Sequence, residues 1–236
     1  LAPPAFAHLP LLRNREGSKL SKRQQAANVE HYRSTGVYPQ ALLNFVALLG
    51  WTPCTEVLSL EDMMQQFDVG KLNKSDAVVD LDRLAWLNRQ HMFTFVGIER
   101  LLDDLHSIVG GDRIYLERVL SLMRTRFSTV PELARDYPFF FAEPEKIDGL
   151  ETEYLASLHA HLSNMTVFTH DAVKAAIEAA HGPDCPRNAR THNIMAARLA
   201  ITGLRVGASL AGTMEVLGRD ITLERIKRYL KTDLSF

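Results

Sequence analysis

The residues best suited to chemistry lie in positions 11–23, LLRNREGSKLSKR, where five of thirteen side chains are basic. The last five positions read KLSKR and place Lys19 and Lys22 around a serine, directly after a Gly-Ser pair. A turn of small residues exposes backbone N–H groups, and lysine ammonium groups neutralise phosphate charge. The segment could therefore hold the polyphosphate of a nucleotide. The G-x-x-x-x-G-K-[ST] spacing of a Walker loop is absent. From this segment alone, three other interpretations therefore remain open: a solvated basic turn, a nucleic-acid patch and a localisation patch.

Charge is distributed unevenly along the chain. The formal net charge of the 236 residues is −1, yet residues 1–36 hold six Lys/Arg against two Asp/Glu, and residues 184–236 hold nine against five. Each end is therefore at +4, and the part between them carries −9. Two basic ends around an acidic middle favour two separate contacts with an anionic partner, although chance variation of the surface explains the same charges equally well.

Composition excludes several classes of protein. A hydrophobic content of 46% and a charged content of 23% are those of a globular protein. No apolar run approaches the ~20 residues of a membrane-spanning helix, so we expect no membrane association. Cys54 and Cys185 lie far apart, and His192 near Cys185 lacks the spacing of a metal site. We therefore expect neither a disulfide framework nor a metal site, and a reducing compartment.

The elements that position these residues are predicted to be mainly helical. Gly36 ends one helix, Pro39 suits the first turn of the next, and DAVVDLD begins as an extended run before a helix with Asp82 as its N-cap. From residue 98 onward apolar spacing predicts only helices. Their predicted ranges are 98–109, 112–125, 129–136, 150–164, 169–181, 190–206, 209–217 and 220–231. The fold class is therefore mainly α, with a small mixed α/β region at the front.

Several segments together resemble, in order and spacing, the glutamyl-tRNA synthetases of the bacterial and organellar type. AHLPLLRNREGSKLSKR, GVYPQALLNFVALLGW and VVDLDRLAWLNRQHM come first, and LMRTRFSTVPEL, YPFFFAEPE and residues 193–226 follow. KLSKR resembles that family's version of the class I KMSKS loop. The resemblance implies that residues 1–97 hold the end of the catalytic region and a stem-contact domain. It implies an all-helical anticodon-binding domain over residues 98–236, with a sub-boundary near 145–150.

The resemblance also implies an activity and a set of site residues. Members of this family activate glutamate with ATP, which carries Mg²⁺ as counter-ion, and pass the glutamyl group to tRNA-Glu. Lys19 and Lys22 would be catalytic by holding the ATP phosphates, the Leu20 backbone would lie near the adenine, and Ser21 and Arg23 would shape the loop. The arginines expected to bind tRNA are Arg124, Arg126, Arg187, Arg190, Arg198 and Arg205. The aromatic residues expected to pack rather than to stack on bases are Trp51, Trp86 and those of Phe139–Phe141.

The sequence departs from the family in ways that shape these expectations. A HIGH-type element, a glutamate pocket and an acceptor-end domain are absent from the 236 residues, so we expect a fragment or processed form that is inactive alone. Its full-length form would be the ligase. The alternative is a synthetase-derived, non-catalytic RNA-binding module in a larger ribonucleoprotein.

Three further expectations concern partners and compartment. Gln24-Gln25 after the pentad resembles the mitochondrial branch and predicts the mitochondrial matrix, with the bacterial cytoplasm as alternative. Some family members exclude tRNA-Gln with an arginine that would align within residues 155–168, and no arginine occurs there. The sequence therefore predicts that tRNA-Gln is also a substrate. We expect a monomer.

Overall fold

The structure is a computed structural model that describes residues 3–4, 6, 8–20 and 28–230. Its elements follow one another along the chain in a simple order. They are β1 (Leu12–Arg13), α1 (Val29–Ser34), α2 (Pro39–Gly50), α3 (Leu60–Gln66), β2 (Ala77–Val78), α4 (Leu81–His91), α5 (Ile98–Val109), α6 (Arg113–Met123), α7 (Val130–Asp136), α8 (Thr152–Ser163), α9 (His170–Ala179), α10 (Arg187–Thr202), α11 (Leu210–Leu217) and α12 (Arg219–Leu230). This confirms the predicted fold class.

The chain divides into two compact units, and neither is a single continuous segment. The first unit comprises Leu1–Ile108 with Phe127–Leu133, and the second comprises Val109–Arg126 with Ala134–Phe236. Among the described residues, both strands lie in the first unit, and the second unit is built of helices alone. None of the described helices is long and apolar enough to span a membrane.

Local sequence explains where the helices of the first unit begin. The Asn28 side chain accepts a hydrogen bond from the Glu30 N–H at 3.0 Å and caps α1. Pro39 occupies the first turn of α2, where a missing N–H costs nothing. The predicted N-cap of α4 is wrong, because Asp80 holds that position and its carboxylate accepts from the Asp82 N–H at 3.0 Å.

The core of the first unit positions the basic loop. Its main cluster contains Tyr32, Phe45, Val79, Leu84 and Leu87, and the Leu20 side chain packs against it. This contact fastens the chain just after Lys19 to the body of the unit. Burial of such side chains stabilises the fold by roughly 1.5–3 kcal/mol each.

The second unit packs α8 against α12 and α9 against α11. A long helix was predicted over residues 190–206, and both ends are wrong because α10 spans Arg187–Thr202. It ends at Gly203, whose φ of 72° is left-handed, so the chain turns out of the helix there. The Thr202 hydroxyl then accepts the Leu204 N–H at 3.1 Å and stabilises that turn.

Candidate functional site

The basic loop begins as a tight turn beside the sheet. Arg13 of β1 pairs in parallel with Val78 of β2 and forms an antiparallel bridge with Lys19. Between them the Asn14 side chain accepts the Ser18 N–H at 2.8 Å, and the Asn14 carbonyl accepts the Gly17 N–H at 3.0 Å. The turn therefore returns the chain to β1 with Lys19 at its end.

Arg13 is one of two arginines in the loop that are already neutralised by acids. Its Nε atom donates to Asp76 Oδ2 at 2.6 Å. This hydrogen bond is the largest cause that holds the pKa of Asp76 below its usual range. Arg13 also donates to the Gly17 carbonyl at 2.8 Å, so its guanidinium stabilises the turn rather than awaiting a ligand.

Arg15 is the second neutralised arginine. Its Nη2 atom lies 2.5 Å from both Asp80 Oδ1 and Asp82 Oδ2. These acids belong to the stretch SDAVVDLD, which is complementary in charge to RNR at residues 13–15. Complementary charge runs are the sequence signal that could have predicted these pairs.

Lys19 differs from these arginines because no ion-pair partner lies near it among the residues that the structure describes. Its side chain is exposed, whereas Leu20 is half-buried and donates its N–H to the Leu12 carbonyl at 2.9 Å. A cleft of about 370 Å³ lies beside Leu20, and its other lining residues are Asn14, Arg15, Glu16, Val79, Leu81 and Asp82. An available ammonium group on a fixed backbone is suited to bind an anion. Ser21, Lys22 and Arg23 lie outside the described residues.

A second basic site lies in the helical unit. Arg198 of α10 is half-buried, and its pKa is lowered first by burial and then by the positive charge of Arg126. Arg126 is exposed, and within the described part of the chain neither guanidinium has an ion-pair partner. Gly207 has no side chain and so leaves room for the Arg198 guanidinium. A Cβ at position 207 would lie only 3.2 Å from Arg198 Nη1. Two positive charges near each other without a counter-ion are suited to bind an anion.

The other predicted arginines are placed differently. Arg187 is exposed in the first turn of α10, and Arg205 is exposed in the loop after it. Arg124 is exposed at the end of α6. Arg190 already has interaction partners within its own unit. It donates to the Cys185 carbonyl at 3.1 Å and lies 3.6 Å from Glu178.

One arginine that the sequence analysis missed organises the same unit. Arg225 of α12 is buried and donates to the carbonyls of Ile201, Phe139 and Ala142 at 2.8, 2.7 and 3.2 Å. It thereby fixes the end of α10, from which the loop with Arg205 emerges. Nothing in the sequence pattern of α12 distinguishes this arginine from a surface one.

The aromatic residues pack as predicted. Trp51, Phe139 and Phe140 are buried, while Trp86 is half-buried against the core cluster of the first unit. Phe139 and Phe140 lie with ring centroids 4.3 Å apart. The buried rings of Trp51, Phe139 and Phe140 are therefore not free to stack on bases, while Phe141 is half-buried.

Two known protein families match separate parts of the chain. A family described as tRNA synthetases class I (E and Q), catalytic domain, matches residues 1–86, and one described as anticodon binding domain matches residues 94–230. The chain belongs to the anticodon binding domain family. The second match covers Arg126 and Arg198, and the first covers Lys19.

Curated relatives of this anticodon binding domain protein are glutamate–tRNA ligases. Those of Chlorobium phaeobacteroides and Nitrosospira multiformis are each 32% identical to it and cover 98% of the chain. The chain in turn spans about half of their length, 51% and 53%.

Solved structures agree with the sequence comparison. The crystal structure of a glutamate tRNA ligase from Elizabethkingia meningosepticum, in complex with its amino acid, superposes with a TM-score of 0.80 at 26% identity. That match covers 98% of this chain and 52% of the other. A glutamate–tRNA synthetase from Elizabethkingia anophelis has the same TM-score at 24% identity and shows the shared fold.

Proposed function

We propose that this chain is the part of a glutamate–tRNA ligase that runs from a KMSKS-type loop through the anticodon-binding domain. Residues 1–97 would supply the loop and the stem-contact domain, and residues 98–236 the anticodon-binding domain, with a sub-boundary near 145–150. The observation that carries this proposal is the exposed Lys19 ammonium on a backbone fixed by Leu20, at the head of KLSKR, in a chain matched over 98% of its length.

The chemistry of the full-length enzyme would use the loop as follows. A glutamate carboxylate oxygen attacks the α-phosphorus of ATP, and pyrophosphate leaves with the electrons of the broken P–O bond. Lys19 and Lys22 neutralise the negative charge that develops on the leaving phosphates. Arg13 and Arg15 are paired with acids, so among the described residues of the loop Lys19 is the cation that remains for ATP. The glutamyl group then passes to the 3′ end of tRNA, and AMP leaves.

Magnesium would reach this site with ATP. The described residues contain no group of three or more His, Cys, Asp or Glu side chains that could hold a metal ion.

The helical unit would bind the anticodon arm of tRNA-Glu. Bases in a single-stranded loop are recognised by arginine stacking and by hydrogen bonds to their edges, while cations hold the phosphates. Arg126 and Arg198 are the strongest candidates, because they are close together and have no ion pair among the described residues. Arg124, Arg187 and Arg205 are exposed and would extend the surface, and Arg190 would contribute least.

Three finer features also belong to this proposal. The enzyme would act as a monomer and would also accept tRNA-Gln, since residues 155–168 contain no arginine. The curated relatives named above are bacterial, which favours the bacterial cytoplasm over the mitochondrial matrix suggested by Gln24-Gln25.

The test uses the natural full-length protein. We expect glutamate-dependent exchange of pyrophosphate into ATP and glutamylation of tRNA-Glu. Lys19→Ala and Lys22→Ala should each lower the exchange rate by about 10²-fold, as for loss of one electrostatic stabiliser of a transition state. Lys74→Ala, which removes another exposed lysine of the first unit, should leave the rate unchanged.

The same assay separates the enzyme from the non-catalytic alternative. A full-length protein that binds tRNA-Glu but supports no glutamate-dependent exchange would be the RNA-binding module. The 236-residue chain should show no exchange by itself, because it contains no HIGH-type element. Exchange by that chain would contradict the proposed division of the active site.

A further inference from the structure

The first unit contains a cleft that neither the loop nor the arginine pair explains. It has a volume of about 690 Å³ and is lined by residues of α1, α2 and α5, together with Val130 and Pro131 of α7. Its lining is mostly apolar, and Val29, Leu43, Val46 and Ile108 leave large parts of their side chains exposed along it. A volume of this size is within the roughly 300–1,000 Å³ of small-molecule sites.

One wall of the cleft carries an ordered polar group. The Tyr38 hydroxyl donates to Asp104 Oδ2 at 2.6 Å, and Arg100 Nε lies 3.0 Å from Asp104 Oδ1. Burial raises the pKa of Tyr38, which therefore remains a hydrogen-bond donor. Arg100 Nε also donates to Asp104 Oδ2, at 3.2 Å, so Asp104 holds the Arg100 guanidinium in place beside the cleft.

The charge of the cleft is positive. Its charged lining residues, within the described part of the chain, are Arg33, Arg100 and Asp104. The negative charge of Asp104 offsets the positive charge of Arg100. Arg33 lies 3.8 Å from Glu30, and both of these side chains are exposed. A pair that exposed contributes little, so Arg33 remains able to bind an anion.

The walls are held in place before any ligand arrives. The buried Asn88 side chain accepts the Tyr38 N–H at 2.8 Å and donates to the carbonyls of Ser128 at 2.6 Å and Gly36 at 3.3 Å. One amide therefore ties together α4, the start of α2 and the segment before Pro131. A preformed site loses less entropy on binding than one that must be ordered.

We propose that this cleft binds an amphipathic organic anion, with an elongated apolar body and a single carboxylate or sulfonate head. The body would cover the exposed surfaces of Leu43, Val46 and Ile108, and the head would accept hydrogen bonds from Arg100 and Arg33. Glutamate and ATP do not fit this description, because neither has an apolar body. The site is therefore additional to the proposed ligase function and does not depend on it.

The test uses dodecanoate, below its micellar concentration, titrated into the 236-residue chain by calorimetry at neutral pH. We expect saturable binding at one site, with dodecyltrimethylammonium, which has the same tail and the opposite charge, at least tenfold weaker. Leu43→Glu places a negative charge at an exposed position of the cleft and should weaken dodecanoate binding about tenfold or more. Arg33→Gln and Arg100→Gln should each weaken it severalfold.

Met64→Glu is the matched control, because Met64 is an exposed apolar residue of α3 outside the cleft. This variant should bind dodecanoate as the unchanged chain does. Circular dichroism of Leu43→Glu should show an unchanged unfolding midpoint, which excludes misfolding as the cause of weaker binding. Equal binding of the two amphiphiles, binding that does not saturate, or a Leu43→Glu variant with unchanged affinity would each overturn the proposal.

Discussion

Arg198 lies close enough to Arg126 for the positive charge of Arg126 to add to burial in lowering the pKa of Arg198. Within the described residues no carboxylate compensates the pair, which is unusual for a half-buried guanidinium. A bound anion would compensate these two positive charges. We therefore expect the pair to serve binding rather than stability.

The first prediction separates those two roles. Arg126→Ala should weaken binding of tRNA-Glu about tenfold and leave the unfolding midpoint unchanged or slightly raised, because it relieves a repulsion. Fluorescence anisotropy across a range of salt concentrations, with thermal unfolding on the same samples, measures both effects. Lys174→Ala, an exposed cation of α9, is the control and should change the affinity little. A lower midpoint with unchanged affinity would assign Arg126 a structural role instead.

The second prediction concerns Arg225, which should act on stability. Arg225→Leu removes three hydrogen bonds to carbonyls, two of them buried and one part-buried, and should lower the free energy of unfolding by about 3 kcal/mol or more. Urea unfolding followed by circular dichroism measures the loss. Arg228→Ala removes a neighbouring, more exposed arginine that donates to the Pro144 carbonyl at 3.0 Å, and its effect should be smaller. Equal effects of both substitutions would contradict the bracing role of Arg225.

The third prediction compares two glycines with left-handed backbones. Gly36 has φ 87°, and a Cβ there would lie 2.7 Å from Pro131 Cδ, whereas Gly17 has φ 81° with nothing within 4 Å. Gly17→Ala should cost only the backbone strain of ~1–2 kcal/mol, and Gly36→Ala should cost clearly more because Pro131 must also move. Thermal unfolding of the two variants gives the comparison. Similar midpoints would show that the proline moves away without cost.

The fourth prediction is a pH dependence that arises from His91. This side chain is fully buried, its Nε2 lies 2.9 Å from Asn44 Oδ1, and its Nδ1 has no hydrogen-bond partner among the described residues. Burial lowers its pKa from 6.5, so below about pH 6.5 the unfolded chain binds the proton more readily than the folded one. Stability contributed by neutral His91 is therefore present above that pH and is lost as the pH falls towards the lower folded pKa.

Unfolding midpoints measured from pH 7.5 to pH 5 test this effect. His91→Gln keeps a polar side chain but cannot take up a proton, and its midpoint should fall less with acidity than that of the unchanged chain. His106→Gln, at an exposed position of α5, should retain the full dependence. The same slope in all three proteins would place the acid sensitivity elsewhere.

The sequence by itself determined the local features of this protein. The helix predicted over residues 98–109 is observed as Ile98–Val109. Its bounds follow from local sequence, because the apolar spacing lies within the segment and a glycine stands directly before and directly after it. KLSKR was recognised in the same way, since residue type and spacing define it. Helix propensity, caps and motifs depend on neighbours a few positions apart, so they can be read without the fold.

The tertiary structure alone decided which charges remain available. Arg13 and Arg15 looked equivalent to Lys19 in the sequence, yet acids 63 to 67 positions away neutralise them and leave Lys19 exposed. The burial of Arg225 and the cleft beside Tyr38 likewise depend on segments far apart in the chain. The interactions of charges and of apolar surfaces depend on their separation in space, and that separation is set only when the helices pack.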